Sequence, residues 1–448
     1  MLLTIKSAGT NLFTRTLFAF CVVMLAACAP ATDSASVQSG AGSNSGRALE
    51  MVAPESVGMD SARLDRVTQA MQGFVDEGKL AGVVTMAARD NKIVHFESVG
   101  YRDLEAQAPM TNDAIFRIYS MTKPITGVAL MILYEEGKFR LADPVEKYLP
   151  EFKNLQVFAG TDADGNILTE PQNHKMTIRQ LMSHTGGLTY GIFAASAVDS
   201  SYQRAGLLDT GDTLAEFTAK LGAIPLKHQP GSTWEYSVSV DVQGYLVEKL
   251  AGQSFGAFLE ERIFEPLGMT DTDFHVPAEK ASRFAQIYNY DDSGKLTAAE
   301  LFPGADFLED PVFESGGGGL VSSTMDYMRF SQMLLNGGEL DGVRILAPLT
   351  VDLMHRDQTP ANMAGSVLGS RGTSFGLDFA VIEDPVEAES YSAGTYYWGG
   401  AAGTWFWIDP VEDLVFVGMI QQGGAGIPDV RSTSQRLVYQ SIMEPKGI

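Results

Sequence analysis

The chain has 448 residues, 45% of them hydrophobic and 19% charged, a balance that supports a large buried core and excludes disordered and collagen-like classes. Its formal net charge is -23, and no basic run occurs anywhere, so nucleic acid is excluded as a partner: phosphate binding needs clustered Lys and Arg. One large domain, or two in close contact, fits the length.

Lys6 and Arg15 precede the apolar segment LFAFCVVMLAA at residues 17–27, which is too short to span a bilayer. The segment resembles a secretory signal peptide, so residues 1–27 are expected to be removed. Its end, LAAC at residues 25–28, resembles the lipobox of bacterial lipoproteins. That implies Cys28 as the acylated first residue of an exported, membrane-anchored chain. Cys21 would leave with the signal, and no second cysteine would remain for an internal disulfide. Ala29 stands where an aspartate is linked to inner-membrane retention, so the resemblance points to the periplasmic face of the outer membrane. Residues 28–50, rich in Ser, Ala and Gly, read as a flexible tether. The folded domain is expected over 51–448.

From Ser61 to Gly78 apolar residues recur at helical spacing, opened by Asp60 or Ser61 as a cap. Two β-rich runs flank the turn pair Asp90-Asn91 and predict a hairpin, with His95 as a strand residue. A buried helix is predicted from about Met121 to Glu136, with Pro124 in its first turn and Gly137 at its end. Helical segments SVDVQGYLVEKLAG and SFGAFLEERIFEPLGM follow among polar loops. The last third offers the glycine run Gly316 to Gly319, a capped helix, the β-like runs SFGLDFAVIED, GTWFWIDP and LVFVGMIQ, and a closing helix. This order suggests an α/β chain of the α+β type. Its sheet is expected from about 51–140 and 300–448, around an inserted helical region at about 141–299.

The stretch FRIYSMTKP sets Ser120 three residues before Lys123. On a helix that spacing puts hydroxyl and amine on one face, about 5–6 Å apart at Cβ. Among fourteen lysines only Lys123 has a serine in that position. Serine needs a base to act as a nucleophile, and an ordinary lysine is too basic, so burial or a nearby cation is expected to lower Lys123. The competing reading makes Ser120 a helix cap and Lys123 a surface residue.

FRIYSMTKP, LMSHTGGLTYG, WEYSVSVDVQGYLVE, SGGGGLVSS and WGGAAGTWFWIDP, in that order, resemble the landmarks of serine β-lactamase-related hydrolases, and most of all family VIII carboxylesterases. The resemblance covers the chain from about Met51 to its end. It implies a β-lactamase/penicillin-binding-protein-like fold and no cofactor. It also implies Ser120 as the acylated nucleophile, Lys123 as partner in its activation, and Tyr236 as the second proton-transfer group. A close Tyr and Lys can share one proton, so the pair makes chemical sense.

Where β-lactamases carry a Lys-Thr-Gly or His-Thr-Gly strand, this chain has Trp398, Gly399 and Gly400. The loss of cation and hydroxyl removes a charge-assisted contact to the carboxylate of penicillins. The small residues are expected to let the strand backbone approach substrate, with the N–H groups of Ala401 and Ser120 as an oxyanion hole. Val238 replaces the Asn that many relatives carry and cannot bond a substrate amide. Trp398 and Trp405 are candidate walls of an apolar pocket, and core residues on the other reading. These departures favour a small-molecule neutral ester over a lactam or amide. The other readings are a β-lactamase or DD-peptidase on the same residues, and a penicillin-binding-like receptor without turnover.

Two Gly-x-Ser-x-Gly strings, at 252–256 and 372–376, lack the strand-turn-helix setting of a nucleophile elbow. Ser254 reads as a cap and Ser374 as loop or strand. His184 reads as part of a structural turn, since no His-Glu-x-x-His or cysteine cluster supports a metal site. The glycine run lacks the spacing and lysine of a phosphate loop and reads as a tight turn beside the site. For the amino-terminal signal, Cys28→Ser is expected to move the protein from the membrane fraction to the soluble fraction on cell fractionation.

Overall fold

The computed structural model describes residues 49–447, apart from 194, 303, 361–365 and 368–369. The expected signal peptide, Cys28 and nearly all of the tether lie outside the described residues. Asp60 caps a short helix, Ser61–Leu64, by accepting from the Arg63 N–H, and α1 (Arg66–Asp76) follows it. Asp90 and Asn91 both take positive φ, 54° and 60°, as a two-residue hairpin turn requires. They join β1 (Gly82–Arg89) to β2 (Lys92–Asp103), and β3 (Ala108–Pro109) pairs with the far end of β2. His95 lies buried on β2 beside the Thr85 hydroxyl, and burial lowers its pKa to about 4.

Next come β4 (Ile115–Arg117) and the buried helix α2 (Thr122–Glu135), then α3 (Ser239–Ala251), β5 (Val321–Ser323) and α4 (Thr324–Leu335). The chain returns through β6 (Thr373–Phe375), β7 (Ala380–Ile382), β8 (Tyr396–Gly399), β9 (Trp405–Asp409) and β10 (Leu414–Met419), and α5 (Val430–Tyr439) closes it. The main sheet runs β6-β7-β8-β9-β10-β1-β2-β3, antiparallel throughout, with strands from both ends of the chain side by side. β4 and β5 pair apart from it.

The two-residue period of the central strands divides the core. On β9 and β10, Phe406, Ile408, Val415 and Val417 join the large cluster that contains α2, α3 and α4 residues. Their neighbours Trp405, Trp407, Leu414 and Phe416 face a second cluster with Val67 and Met71 of α1 and Val430 and Val438 of α5. Helices therefore cover both faces, which is why these strands read as nearly continuous apolar runs.

Three expectations differ in detail. The run at 374–384 is two strands, broken by a turn in which Asp378 takes φ 66°. The helix beginning at Phe255 carries a π turn, Glu260–Phe264, before Glu265–Leu267; Pro266 has no N–H for the ordinary ladder, and the wider turn accommodates it. The middle region also contains two β pairs, Gln156–Thr161 with Ile167–Pro171 and Tyr288–Tyr290 with Leu296–Ala298.

Asp326, in the first turn of α4, is buried and accepts from the Asp271 N–H and the Thr272 hydroxyl. Burial outweighs these donors and raises its pKa to about 6, above the roughly 3.9 of an unfolded aspartate. Its contribution is therefore full below about pH 4 and is lost as pH rises through 6, a change of about 3 kcal/mol. Urea midpoints of the wild type are expected to fall more between pH 5 and 8 than those of Asp326→Asn.

Candidate active site

Ser120 sits in a single 3-10 turn, Tyr119–Met121, between β4 and α2. It does not cap the helix: Met121 holds that position, and no side chain bonds there. Tyr119 takes φ 41°, a strained value for a residue with a side chain. Its ring is braced edge-on by Phe302 at 5.4 Å and Phe307 at 5.8 Å.

Lys123 is fully buried in the first turn of α2. Its Nζ lies 3.3 Å from Ser120 Oγ, 3.2 Å from Tyr190 Oη and 2.6 Å from the Gly317 carbonyl. Tyr236 Oη donates to Ser120 Oγ at 2.8 Å. The expected lowering of Lys123 is reversed. Burial does push it down, but the adjoining Tyr190 and Tyr236 oxygens and the Asp241 carboxyl outweigh that and hold it above its usual value. Tyr190 is itself pushed up by burial.

Tyr236 is gripped by aromatic rings: His184 at 5.0 Å, Tyr190 at 5.2 Å, Trp398 at 5.5 Å and Phe193 at 6.0 Å. His184, at φ 54°, accepts the Glu235 N–H on its carbonyl and the Ser237 N–H on Nδ1. It thus pins both neighbours of Tyr236, and burial together with the Lys123 charge keeps it well below the usual histidine range. The structural reading of its turn agrees with this packing.

Above Ser120 opens a cavity of about 330 Å3, walled by Tyr119, Tyr190, Phe302, Phe307 and Phe313 and reaching Ala401 and the glycine run. No Lys, Arg or His lines it among the described residues. Ile192, Phe193, Leu208 and Phe302 continue this wall to the surface, with Phe193 69% and Phe302 41% exposed.

Of the expected pocket residues, only Ser120, Tyr236 and Ala401 line this cavity. Trp405 points to the opposite face of the sheet, by the alternation of β9, and donates to Ser434 Oγ. Trp398 packs behind Tyr236 rather than forming a cavity wall. Val238 is buried just before α3 and donates to the Thr189 carbonyl. Gly400 lets the strand approach the protein, not a ligand: a Cβ there would stand 2.3 Å from the Ile118 carbonyl oxygen. Gly399 likewise meets the Arg431 guanidinium.

Ser254 caps the helix beginning at Phe255, and Ser374 lies in β6 bonded to Glu383, so neither is an elbow serine. The glycine run does flank the site, as the Gly317 carbonyl shows. Tyr190 and Asp241 were not singled out from the sequence. The available signals were a tyrosine inside the SHTGGLTY landmark and an acid in the first turn of the apolar helix α3.

An antiparallel sheet flanked by helices, with Ser-x-x-Lys at the start of a buried helix, defines the class of β-lactamase and penicillin-binding-protein-like folds. The chain belongs to the Beta-lactamase family, whose model matches residues 67–440, and is a β-lactamase-fold hydrolase with esterases among its relatives. Protein Rv1367c of Mycobacterium tuberculosis is 38% identical over 367 residues, covering 80% of this chain and 90% of that one. Esterase EstB of Burkholderia gladioli is 34% identical over 370 residues, covering 77% and 86%. The solved structure of EstCE1, described as a hydrolase with promiscuous acyltransferase activity, superposes with a TM-score of 0.72 at 27% identity, covering 85% of this chain and 99% of that one. The resemblance drawn from the five sequence landmarks therefore stands.

The two tryptophans separate experimentally. Trp405→Phe is expected to cost about 1–3 kcal/mol in urea unfolding and leave kcat and KM within about twofold. Trp398→Leu is expected to loosen Tyr236 and lower kcat about tenfold or more, at a stability cost at least as large.

Proposed function

We propose that this protein is a serine carboxylesterase that turns over neutral, apolar esters through an acyl-enzyme on Ser120. The observation that carries the reading is the Ser120 hydroxyl held between Tyr236 and Lys123 at the floor of an aromatic cavity. In this reading the reactive form has one proton between Tyr236 and Lys123 and the lysine holds it, so the hydrogen bond runs from Ser120 to Tyr236, the reverse of the donation in the structure. The Tyr236 oxygen takes the Ser120 proton as Oγ bonds to the ester carbon, and Lys123 steadies the negative charge beside it. The backbone N–H groups of Ser120 and Ala401 serve the oxyanion. Tyr236 then passes its proton to the departing alcohol, leaving acyl-Ser120. Water adds by the same route in reverse and releases the acid.

The substrate class follows from the lining. A lactam or peptide carboxylate would enter a cavity with no cation among its described wall residues, and a charge left unpaired in such a place is costly. An apolar ester pays nothing of that kind and gains from burial against Phe302, Phe307 and Phe313. The name of EstB supports ester cleavage, and the description of EstCE1 supports interception of the acyl group by an alcohol in place of water. The signal and lipobox patterns support export and anchoring through Cys28.

Purified wild type and Ser120→Ala, compared on p-nitrophenyl esters and a chromogenic cephalosporin, test the proposal. Ser120→Ala is expected to lose at least about 10³-fold in ester kcat/KM, and Tyr236→Phe about 10²- to 10⁴-fold with an unchanged melting profile. Equal ester hydrolysis by wild type and Ser120→Ala would sink the nucleophile assignment. Cephalosporin turnover far above ester turnover would sink the ester preference in favour of a β-lactamase.

A further inference from the structure

Asp241 stands on α3, five residues after Tyr236, and is 1% exposed at the edge of the cavity. Its Oδ1 accepts the Ser315 hydroxyl at 2.5 Å and the Gly317 N–H at 3.0 Å. The same Gly317 gives its carbonyl to Lys123 Nζ at 2.6 Å. One glycine therefore carries a carboxylate on its N–H and an ammonium on its C=O. The carboxylate lies flat against it: a Cβ at 317 would stand 2.7 Å from Oδ2 and 3.0 Å from Oδ1. That contact accounts for the glycine at 317 without appeal to backbone flexibility.

The groups that face Lys123 are Tyr190, Tyr236, Asp241, the neutral His184 and Asp378. Asp378, in the turn between β6 and β7, has a single amide partner, Gln243, and burial pushes it well above the ordinary carboxyl range. Burial also raises Asp241, but Ser315, Lys123 and the Gly317 N–H all pull it back toward the charged form. Asp241 is thus the carboxyl equipped to stay ionised beside the lysine.

Resting on the Ser120, Tyr236 and Lys123 reading above, we infer that Asp241 is the counter-charge of Lys123. It is a positioning residue that holds the Gly317 carbonyl against the ammonium and keeps the lysine protonated, so that Tyr236 is left to take the Ser120 proton. Removing its charge would free the lysine to lose its own proton at lower pH.

Asp241→Asn keeps Oδ1 as acceptor for Ser315 and Gly317 and removes only the charge. The alkaline limb of kcat/KM for a p-nitrophenyl ester is expected to move down by about one pH unit or more. Ser315→Ala, which keeps the carboxyl but removes one donor to it, is expected to move the limb less than Asp241→Asn does. A folded Asp241→Asn with an unmoved limb overturns the proposal. The second arm reads stability alone, by melting Asp241→Asn in the wild-type and Lys123→Met backgrounds. The proposal requires that the loss of melting temperature, or of cooperative unfolding altogether, shrink or vanish when Lys123 is replaced. An equal loss in both backgrounds makes Asp241 merely structural. This arm holds even if ester hydrolysis survives Ser120→Ala, which would sink the esterase reading instead.

Discussion

Lys123 is fully buried, and a cation taken out of bulk water costs several kcal/mol unless it is paired and hydrogen-bonded. Three segments remote from one another in sequence meet that need: the loop carrying Tyr190, the segment carrying Tyr236 with α3, and the glycine run. Each can approach only because something behind it is small or braced, as Gly317 is against Asp241 and Tyr236 is against His184 and Trp398. The arrangement of the site is, in this sense, the solvation shell of one ammonium group, written in protein atoms.

The sheet supplies the rigidity that such a shell needs. Its central strands are covered on both faces, so neither can shift without disturbing a core. β8 sits next to β9, and at its end Gly400 closes onto the Ile118 carbonyl, two residues before Ser120. The strained φ of Tyr119 is held between that contact and the rings of Phe302 and Phe307. Strain of this kind persists only where surrounding packing over-determines it.

Much of this was legible in the chain. The Asp90-Asn91 turn, the buried helix after Ser120, the Ser254 cap and the return of the last strands all follow from local chemistry, and local chemistry is what a sequence displays. The grouping of Ser120, Lys123 and Tyr236 came from the order of the landmarks, since nothing local joins residues more than a hundred positions apart. What failed depended on side-chain direction or on charge balance. Trp405 and Trp398 look alike in sequence, yet strand alternation sends them to opposite faces. The raised Lys123 pKa depends on oxygens from two distant segments, Tyr190 and the stretch from Tyr236 to Asp241, and no pattern around residue 123 carries that information.

The distribution of charge also gives the cavity a direction. The ionisable groups on its wall are acids and tyrosines, Asp241 inside and Asp306 at the exposed edge, while the lysine sits behind Ser120. On the proposed esterase reading, a neutral ester meets no field that resists it on the way in. On that reading the acid released loses a proton at ordinary pH and becomes an anion beside Asp241, with no cation among the described wall residues to retain it. Hydrolysis would then change the guest from one the cavity holds by apolar contact into one that it expels.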